Sequence, residues 1–159
     1  NIIKEKYLEG RKILVLSDRR NQCTVLKKLL ETIILNGNNE IGLYFGGMKR
    51  QVLEESNKKR IILATYQIAS EGYDNKELDT LIFATPKSNI EQAIGRILRQ
   101  ENINSPEVID IVDSWSVFNN LYFSRMKFYK NKKYIVNGNN FKNLNNNEDE
   151  EIKFDKCLL

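Results

Sequence analysis

The fold is decided by residues 60–99, which read RIILATYQIASEGYDNKELDTLIFATPKSNIEQAIGRILR. Residues 60–64 and 80–84 are short apolar runs without polar alternation, so each predicts a strand that is buried on both faces. Residues 90–100 carry apolar side chains at helical spacing, which predicts a helix that packs against the strands. Strands that alternate with helices in this way are typical of a parallel sheet.

The same alternation continues on both sides of this stretch. Apolar runs predict further strands at residues 12–16, 41–45 and 108–112. Amphipathic patterns predict helices at residues 51–57 and 115–130. A helix is also predicted after the first strand, with one apolar stripe formed by Val25, Leu26, Leu29, Leu30 and Ile33. The pattern therefore predicts a doubly wound α/β domain, in which a mainly parallel sheet lies between two helix layers.

The composition is that of an ordinary globular domain. The chain has 159 residues and a net charge of +4, with 41% hydrophobic and 29% charged residues, which excludes collagen, a coiled coil and wholesale disorder. There is no histidine, which excludes a histidine-based catalytic triad, and the two cysteines are too few for a disulfide framework or a zinc site. We therefore predict no metal site in this chain.

The ends of the chain indicate how the domain is bounded. No apolar run approaches the roughly 20 residues of a membrane span, and no signal peptide is present, so we expect an intracellular protein without a membrane partner. The first residue is Asn1 rather than Met, which indicates a fragment of a longer protein. Residues 1–136 are expected to form the domain, and residues 137–159, which are rich in asparagine and then acidic, a flexible tail.

The loops that follow the predicted strands carry hydroxyls, glycines and cations. They comprise residues 17–20, 46–49, 65–67 and 85–88. Ligands of doubly wound sheets bind beyond the carboxyl ends of the strands, and these side chains suit phosphate oxygens. Phosphate binding is therefore predicted at this edge, although glycine, serine and lysine are also common in ordinary turns.

The helix at residues 90–100 carries a polar face. Gln92, Arg96 and Arg99 are spaced by four and three residues and so share one side of the helix. Two guanidinium groups and an amide on one side form a receptor for phosphate, although a solvated basic face has the same spacing. Gly95 costs this helix about 1 kcal/mol relative to alanine, which suggests that another backbone approaches it closely.

These residues resemble conserved motifs of superfamily 2 helicases. Residues 64–74 resemble motif V, and residues 92–99, QAIGRILR, resemble motif VI with its pattern Gln-x-x-Gly-Arg-x-x-Arg complete. Residues 12–20 look like motif IV. The resemblance covers roughly residues 10–115 and implies the second, C-terminal RecA-like domain. Within the superfamily the chain is similar to helicases of large cytoplasmic DNA viruses, of the poxvirus transcript-release type.

The resemblance implies roles in ATP hydrolysis. ATP with Mg²⁺ would lie between two RecA-like domains, and the Mg²⁺ ligands are expected in the N-terminal one. Arg99 would be the arginine finger, Arg96 would contact the γ-phosphate and Gln92 would order that network. Gly72 and Asp74 would lie near the nucleotide.

The resemblance also implies partners. Thr65 would bind the backbone of DNA or RNA, with Ser17 and Arg19 as further backbone contacts. The N-terminal RecA-like domain of the same protein would be a partner and, for a viral transcription helicase, so would the transcription machinery. Such a protein would lie in the host cytoplasm, in viral factories or in virions.

Other functions remain open from the sequence. The chain has neither a phosphate loop nor an Asp-Glu-x-x box, so the fragment alone is expected to be inactive as an ATPase. A non-catalytic nucleic-acid-binding module on a degenerate motor fold is the alternative, and an unrelated nucleotide-binding domain is a third. The aromatic and basic residues of the last helix suit base stacking, but their spacing favours packing on the sheet.

Overall fold

The structure is a computed structural model that describes residues 2–70, 73–97, 104–112 and 116–137. Helices and strands alternate along this part of the chain. In order, they are α1 (Ile2–Leu8), β1 (Ile13–Ser17), α2 (Arg20–Ile33), α3 (Gly37–Glu40), β2 (Ile41–Tyr44), α4 (Arg50–Lys58), β3 (Ile61–Thr65), α5 (Tyr66–Ser70), β4 (Thr80–Phe83), α6 (Glu91–Ile97), β5 (Glu107–Asp110) and α7 (Ser116–Asn131).

The strands form one parallel sheet in the order β2-β3-β1-β4-β5. Leu14 of the central strand β1 pairs with Ile62 of β3 on one side and with Leu81 of β4 on the other. Every residue of β1 and β3 is buried, as expected for strands covered on both faces. The predicted doubly wound α/β fold is therefore confirmed, and the strand bounds differ from the predicted ones by one or two residues.

Alternating strand residues build two separate apolar clusters, one on each face of the sheet. Leu14, Ile62 and Phe83 pack with residues of α5, α6 and α7, including Tyr129. The opposite face, which includes Val15, packs with α1 and α2. The sheet thus lies between two helix layers, and the helices that follow β1 and β4 lie on opposite faces. The connections that lead from β1 and from β4 into these helices therefore run in opposite directions. They leave a crevice between them at the carboxyl edge, which is the edge where the parallel strands end.

The predicted apolar stripe of α2 is wrong in part. Cys23 and Leu30 are buried against the sheet, whereas Val25 is 47% exposed and Leu29 is 57% exposed. Ile33 is exposed as well. The buried side of α2 follows helical spacing from Cys23 to Leu30, and Val25, Leu29 and Ile33 lie on a side that does not face the sheet. Periodicity located the helix but not the side that faces the sheet.

The last helix packs on the sheet. Met126 and Tyr129 of α7 are buried, and Tyr122 packs partly against the same cluster, so the packing interpretation of this helix is confirmed for them. The short helices α1, α3 and α5 were not predicted. No helix within the described ranges is long and apolar enough to cross a membrane. Most of the predicted tail, residues 138–159, lies outside those ranges.

Candidate functional site

A cavity of about 430 Å³ opens at the carboxyl edge of the sheet. We call it the carboxyl-edge cavity. Its lining is mostly polar and consists of Asp18, Arg20, Thr65, Tyr66, Gln67, Lys87, Asn89, Gln92 and Ala93. These residues come from three places in the chain: the link between β1 and α2, the junction of β3 and α5, and the loop after β4 with the first turn of α6. Parallel pairing of the three strands brings their ends to one edge, so the crevice predicted by the topology is the observed site.

Cations lie at the mouth of this cavity. The ammonium group of Lys87 is 3.0 Å from a carboxylate oxygen of Asp18 and 5.2 Å from the centre of the Tyr66 ring. The guanidinium group of Arg20 donates a hydrogen bond of 2.8 Å to the carbonyl oxygen of Gly46. It also lies 5.7 Å from the centre of the Phe45 ring. Both positive groups are thus held near the cavity by neighbouring loops.

The loop between β4 and α6 is fixed by hydrogen bonds on its inner side. The hydroxyl of Tyr66 donates to the carbonyl oxygen of Thr85 at 2.7 Å, and the backbone N–H of Asp18 donates to the Thr85 hydroxyl at 2.9 Å. Burial raises the pKa of the Tyr66 hydroxyl well above its usual range, so this group stays a donor at neutral pH. The loop that carries Lys87 is therefore tied to the ends of β1 and β3.

A buried ion pair between Arg125 of α7 and Asp110 of β5 lies beside the same loop and also holds it. Arg125 is 1% exposed and Asp110 is 3% exposed, and the Arg125 Nε donates to an Asp110 carboxylate oxygen. Another guanidinium nitrogen of Arg125 donates to the carbonyl oxygen of Lys87 at 3.1 Å. Burial raises the pKa of the Asp110 carboxyl, and Arg125 opposes that rise. No local sequence pattern indicates this link, because its three partners are distant in the chain.

The donor set of the cavity fits an anion that carries phosphate. Arg20 and Lys87 supply positive charge, and hydroxyl and amide groups line the walls. Asp18 is the single carboxylate among the lining residues, and it is bound to Lys87. A bare divalent cation would meet two positive side chains there and one carboxylate that is already paired with Lys87. The cavity therefore suits phosphate groups rather than a metal ion.

Comparison with known proteins identifies the family. The helicase conserved C-terminal domain family matches residues 1–101. The chain belongs to this family. It is 42% identical over 142 residues to a candidate ATP-dependent RNA helicase of Acanthamoeba polyphaga mimivirus, a match that covers 84% of the chain and 27% of that protein. It is 35% identical over 100 residues to a candidate ATP-dependent RNA helicase of African swine fever virus, covering 61% of the chain and 20% of that protein.

A solved structure supports the fold. The C-terminal part of the Fun30 ATPase domain superposes with a TM-score of 0.62 at 15% identity, over 75% of this chain and 40% of that one. The chain thus has the fold of a helicase C-terminal domain. It spans about a quarter or less of the length of the two viral relatives.

Two of the residues that the helicase motifs predicted line the carboxyl-edge cavity. Gln92, the first residue of motif VI, is exposed at the start of α6 and lines it. Thr65, the last residue of β3 and part of motif V, is 8% exposed and lines it too. The structure therefore brings one residue from each of these two motifs to a common site. Their roles stay predictions.

The motif IV residues lie beside the cavity rather than in its lining. The Ser17 side chain is fully buried, and its hydroxyl donates to Gln22 and accepts from the Arg19 backbone N–H at 3.0 Å. In this structure the Ser17 hydroxyl joins β1 to α2 and does not face solvent, so it is not placed to touch nucleic acid. Arg19 is exposed. Its neighbour Arg20, which was not singled out, lines the cavity instead.

The remaining predicted residues divide between another site and undescribed parts of the chain. Asp74 is exposed and lines a second cavity of about 460 Å³ with Lys12 and Glu77, near the edge at which the strands begin. The structure therefore does not bring Asp74 together with Gln92. The backbone of Arg96 belongs to α6, one turn after Gln92. Gly72 and Arg99 lie outside the described residues.

The glycine of motif VI has open space around it. A Cβ atom built on Gly95 meets no atom within 4 Å, leaving out its chain neighbours and the backbone of its own helix. The expected close approach of another backbone is thus not found among the described residues. Gly42 is the opposite case, because a Cβ there would lie 2.8 Å from the backbone of Ser56 in α4.

Proposed function

We propose that this chain is the C-terminal motor domain of an ATP-dependent superfamily 2 helicase or translocase. ATP would be held between this domain and an N-terminal RecA-like domain. The observation that carries the proposal is the position of Gln92 in the carboxyl-edge cavity together with Thr65. One residue from the stretch that resembles motif V and one from the stretch that resembles motif VI thus line a common cavity, and its two cations suit phosphate.

The proposed chemical role belongs to the arginines that follow Gln92. Arg96 and Arg99 come one turn and nearly two turns later in the sequence, so a helix that continues in register carries them on the same side. Phosphoryl transfer spreads negative charge over the γ-phosphate oxygens, and an arginine finger contributes roughly 10³–10⁵ in rate. Arg99 acts as this finger, Arg96 contacts the γ-phosphate and Gln92 orders the two, with Gly72 near the nucleotide. Asp74 is left out of this proposal because it lines the cavity near the opposite edge.

Mg²⁺ supplies charge neutralisation at the phosphates when it is bound with ATP. Its ligands are proposed to lie in the N-terminal domain, since the one carboxylate in the cavity lining is bound to Lys87. For the same reason the isolated chain is expected to hydrolyse ATP negligibly.

The nucleic acid is proposed to contact the same edge through its backbone. Thr65 and Arg19 are the contacts, and the name of the mimivirus relative favours RNA over DNA as the strand. The viral relatives support a place inside an infected cell. The cytoplasm and the transcription machinery as a partner are proposed from the resemblance to viral transcript-release helicases.

Nucleic-acid-stimulated ATPase activity of the full-length protein tests the proposal. Arg99→Ala should abolish turnover and leave the affinity for single-stranded nucleic acid unchanged, whereas Thr65→Ala should weaken strand binding modestly. Arg50→Ala, an exposed arginine of α4, is the control and should change neither. Intact turnover in Arg99→Ala would contradict the assignment of Arg99 as the arginine finger. A full-length protein without any turnover would favour the non-catalytic binding module.

A further inference from the structure

We propose that Lys87 is a phosphate-binding residue of the carboxyl-edge cavity and that Asp18 competes with the phosphate for its ammonium group. This inference rests on the proposed function, because the phosphate would belong to the nucleic-acid strand or to ATP. Lys87 precedes motif VI and is not part of it, and nothing in the motif patterns assigns it a role.

A ligand can take the place of Asp18 in its ion pair with Lys87. The ammonium group of Lys87 lies 3.0 Å from Asp18, and the two side chains are 40% and 45% exposed. Ion pairs that are exposed to this degree contribute little to stability, since water and salt screen them. A phosphate that enters the cavity therefore replaces the Asp18 carboxylate at low cost and offers more oxygens to the same cation.

The main chain of Lys87 is fixed, so the exchange needs only its side chain to move. The Lys87 carbonyl oxygen accepts a hydrogen bond from the buried Arg125, and Thr85 in the same loop is bound by Tyr66 and Asp18. A ligand therefore does not have to order this backbone, which is the part of binding that usually costs most conformational entropy.

The surroundings of Lys87 define what the exchange does to the charge of the site. While Lys87 is bound to Asp18, Arg20 is the other cation of the lining, and its guanidinium group donates to the carbonyl oxygen of Gly46. Release of Lys87 from Asp18 adds a second cation to the cavity that Thr65 and Gln92 also line. Removal of the Asp18 charge should therefore strengthen binding through Lys87.

Equilibrium binding to the full-length protein tests this competition. The probes are a short fluorescein-labelled single-stranded RNA, followed by anisotropy at low salt, and a fluorescent ATP derivative. Asp18→Asn should tighten binding about two- to fivefold, the range expected for release of an exposed ion pair. Lys87→Gln should weaken RNA binding about three- to tenfold and lower the salt slope by about 1.

Matched controls separate the local exchange from a change in total charge. Arg50 and Glu54 form an exposed pair on α4, with 2.8 Å between charged atoms. Arg50→Gln changes the net charge as Lys87→Gln does, and Glu54→Gln changes it as Asp18→Asn does. The decisive variant is Asp18→Asn combined with Lys87→Gln, in which the gain from Asp18→Asn should disappear. A gain that persists in this double variant, or that Glu54→Gln reproduces, would overturn the inference.

The probes also separate this inference from the proposed function. A gain with RNA alone supports a strand phosphate, and a gain with the ATP derivative alone supports a nucleotide phosphate. If the unchanged chain binds both probes but the Asp18 and Lys87 variants match their controls, only the inference fails. If the unchanged chain binds neither probe, the inference and the phosphate-binding role of this edge fail together.

Discussion

Arg125 should be indispensable to the stability of the domain because it is buried with its counter-ion. Both Arg125 and Asp110 are at most 3% exposed, and Oδ1 of Asp110 has no hydrogen-bond partner within the described chain. Removal of one partner of a buried pair costs about 3–5 kcal/mol. Arg125→Met also loses the hydrogen bond to the Lys87 carbonyl oxygen, worth about 1 kcal/mol, so the upper part of that range is expected. Urea unfolding followed by circular dichroism measures the loss.

A double variant makes this prediction refutable. Asp110→Leu combined with Arg125→Met replaces both charges with apolar groups, which is often neutral or stabilising for buried pairs. The double variant should therefore be more stable than Arg125→Met by about 2 kcal/mol or more. A loss in the double variant that equals or exceeds the loss in Arg125→Met would show that the two side chains do not act as a pair.

The pH dependence of the stability of Arg125→Met provides a second test of the ion pair. Burial raises the pKa of Asp110, so the folded protein binds this proton more tightly than the unfolded chain does. The contribution of Asp110 to stability is therefore present at low pH and is lost as the pH rises above the unfolded value of about 3.9. Without Arg125 the pKa rises further, so the stability of Arg125→Met should fall more steeply between acidic and neutral pH than that of the unchanged chain.

Three further predictions concern packing and reactivity. Gly42→Ala should destabilise the fold by about 1–3 kcal/mol, measured by urea unfolding, because its Cβ would lie 2.8 Å from Ser56. Gly95→Ala should stabilise the isolated chain by up to about 1 kcal/mol, since the site is open; a loss instead would show a hidden contact. Burial raises the pKa of the Cys23 thiol to about 11, so with Cys157→Ser the native chain should resist alkylation at pH 8 and react once unfolded.

The sheet was predictable because its strands are buried on both faces. Runs such as residues 61–64 leave no polar face, and a parallel sheet is the usual arrangement that hides them. The helix that follows β1 was predictable only in position. Cys23 faces the sheet while Val25 and Leu29 do not, because the choice between neighbouring apolar lines depends on the surface that the helix meets.

The residues of the candidate site that lie at strand ends could be predicted from the sequence. The ion pairs between residues distant in the chain could not. The topology rule led to residues 65–67 at the end of β3, and the spacing of the polar helix face led to Gln92 in α6. The ion pair of Lys87 with Asp18 joins residues 69 positions apart, and no local pattern indicates it. Asp74 was expected near the nucleotide from its motif, but the chain runs back toward the opposite edge before β4, and Asp74 lies on that return.

Chemical-shift mapping tests most directly whether the carboxyl edge is the phosphate-binding edge. Amide resonances of the ¹⁵N-labelled chain would be followed during titration with single-stranded RNA and, separately, with ATP. The largest shifts should cluster at Thr65, Lys87 and Gln92. Shifts centred on Lys12 and Glu77, which line the cavity at the opposite edge, would contradict this prediction.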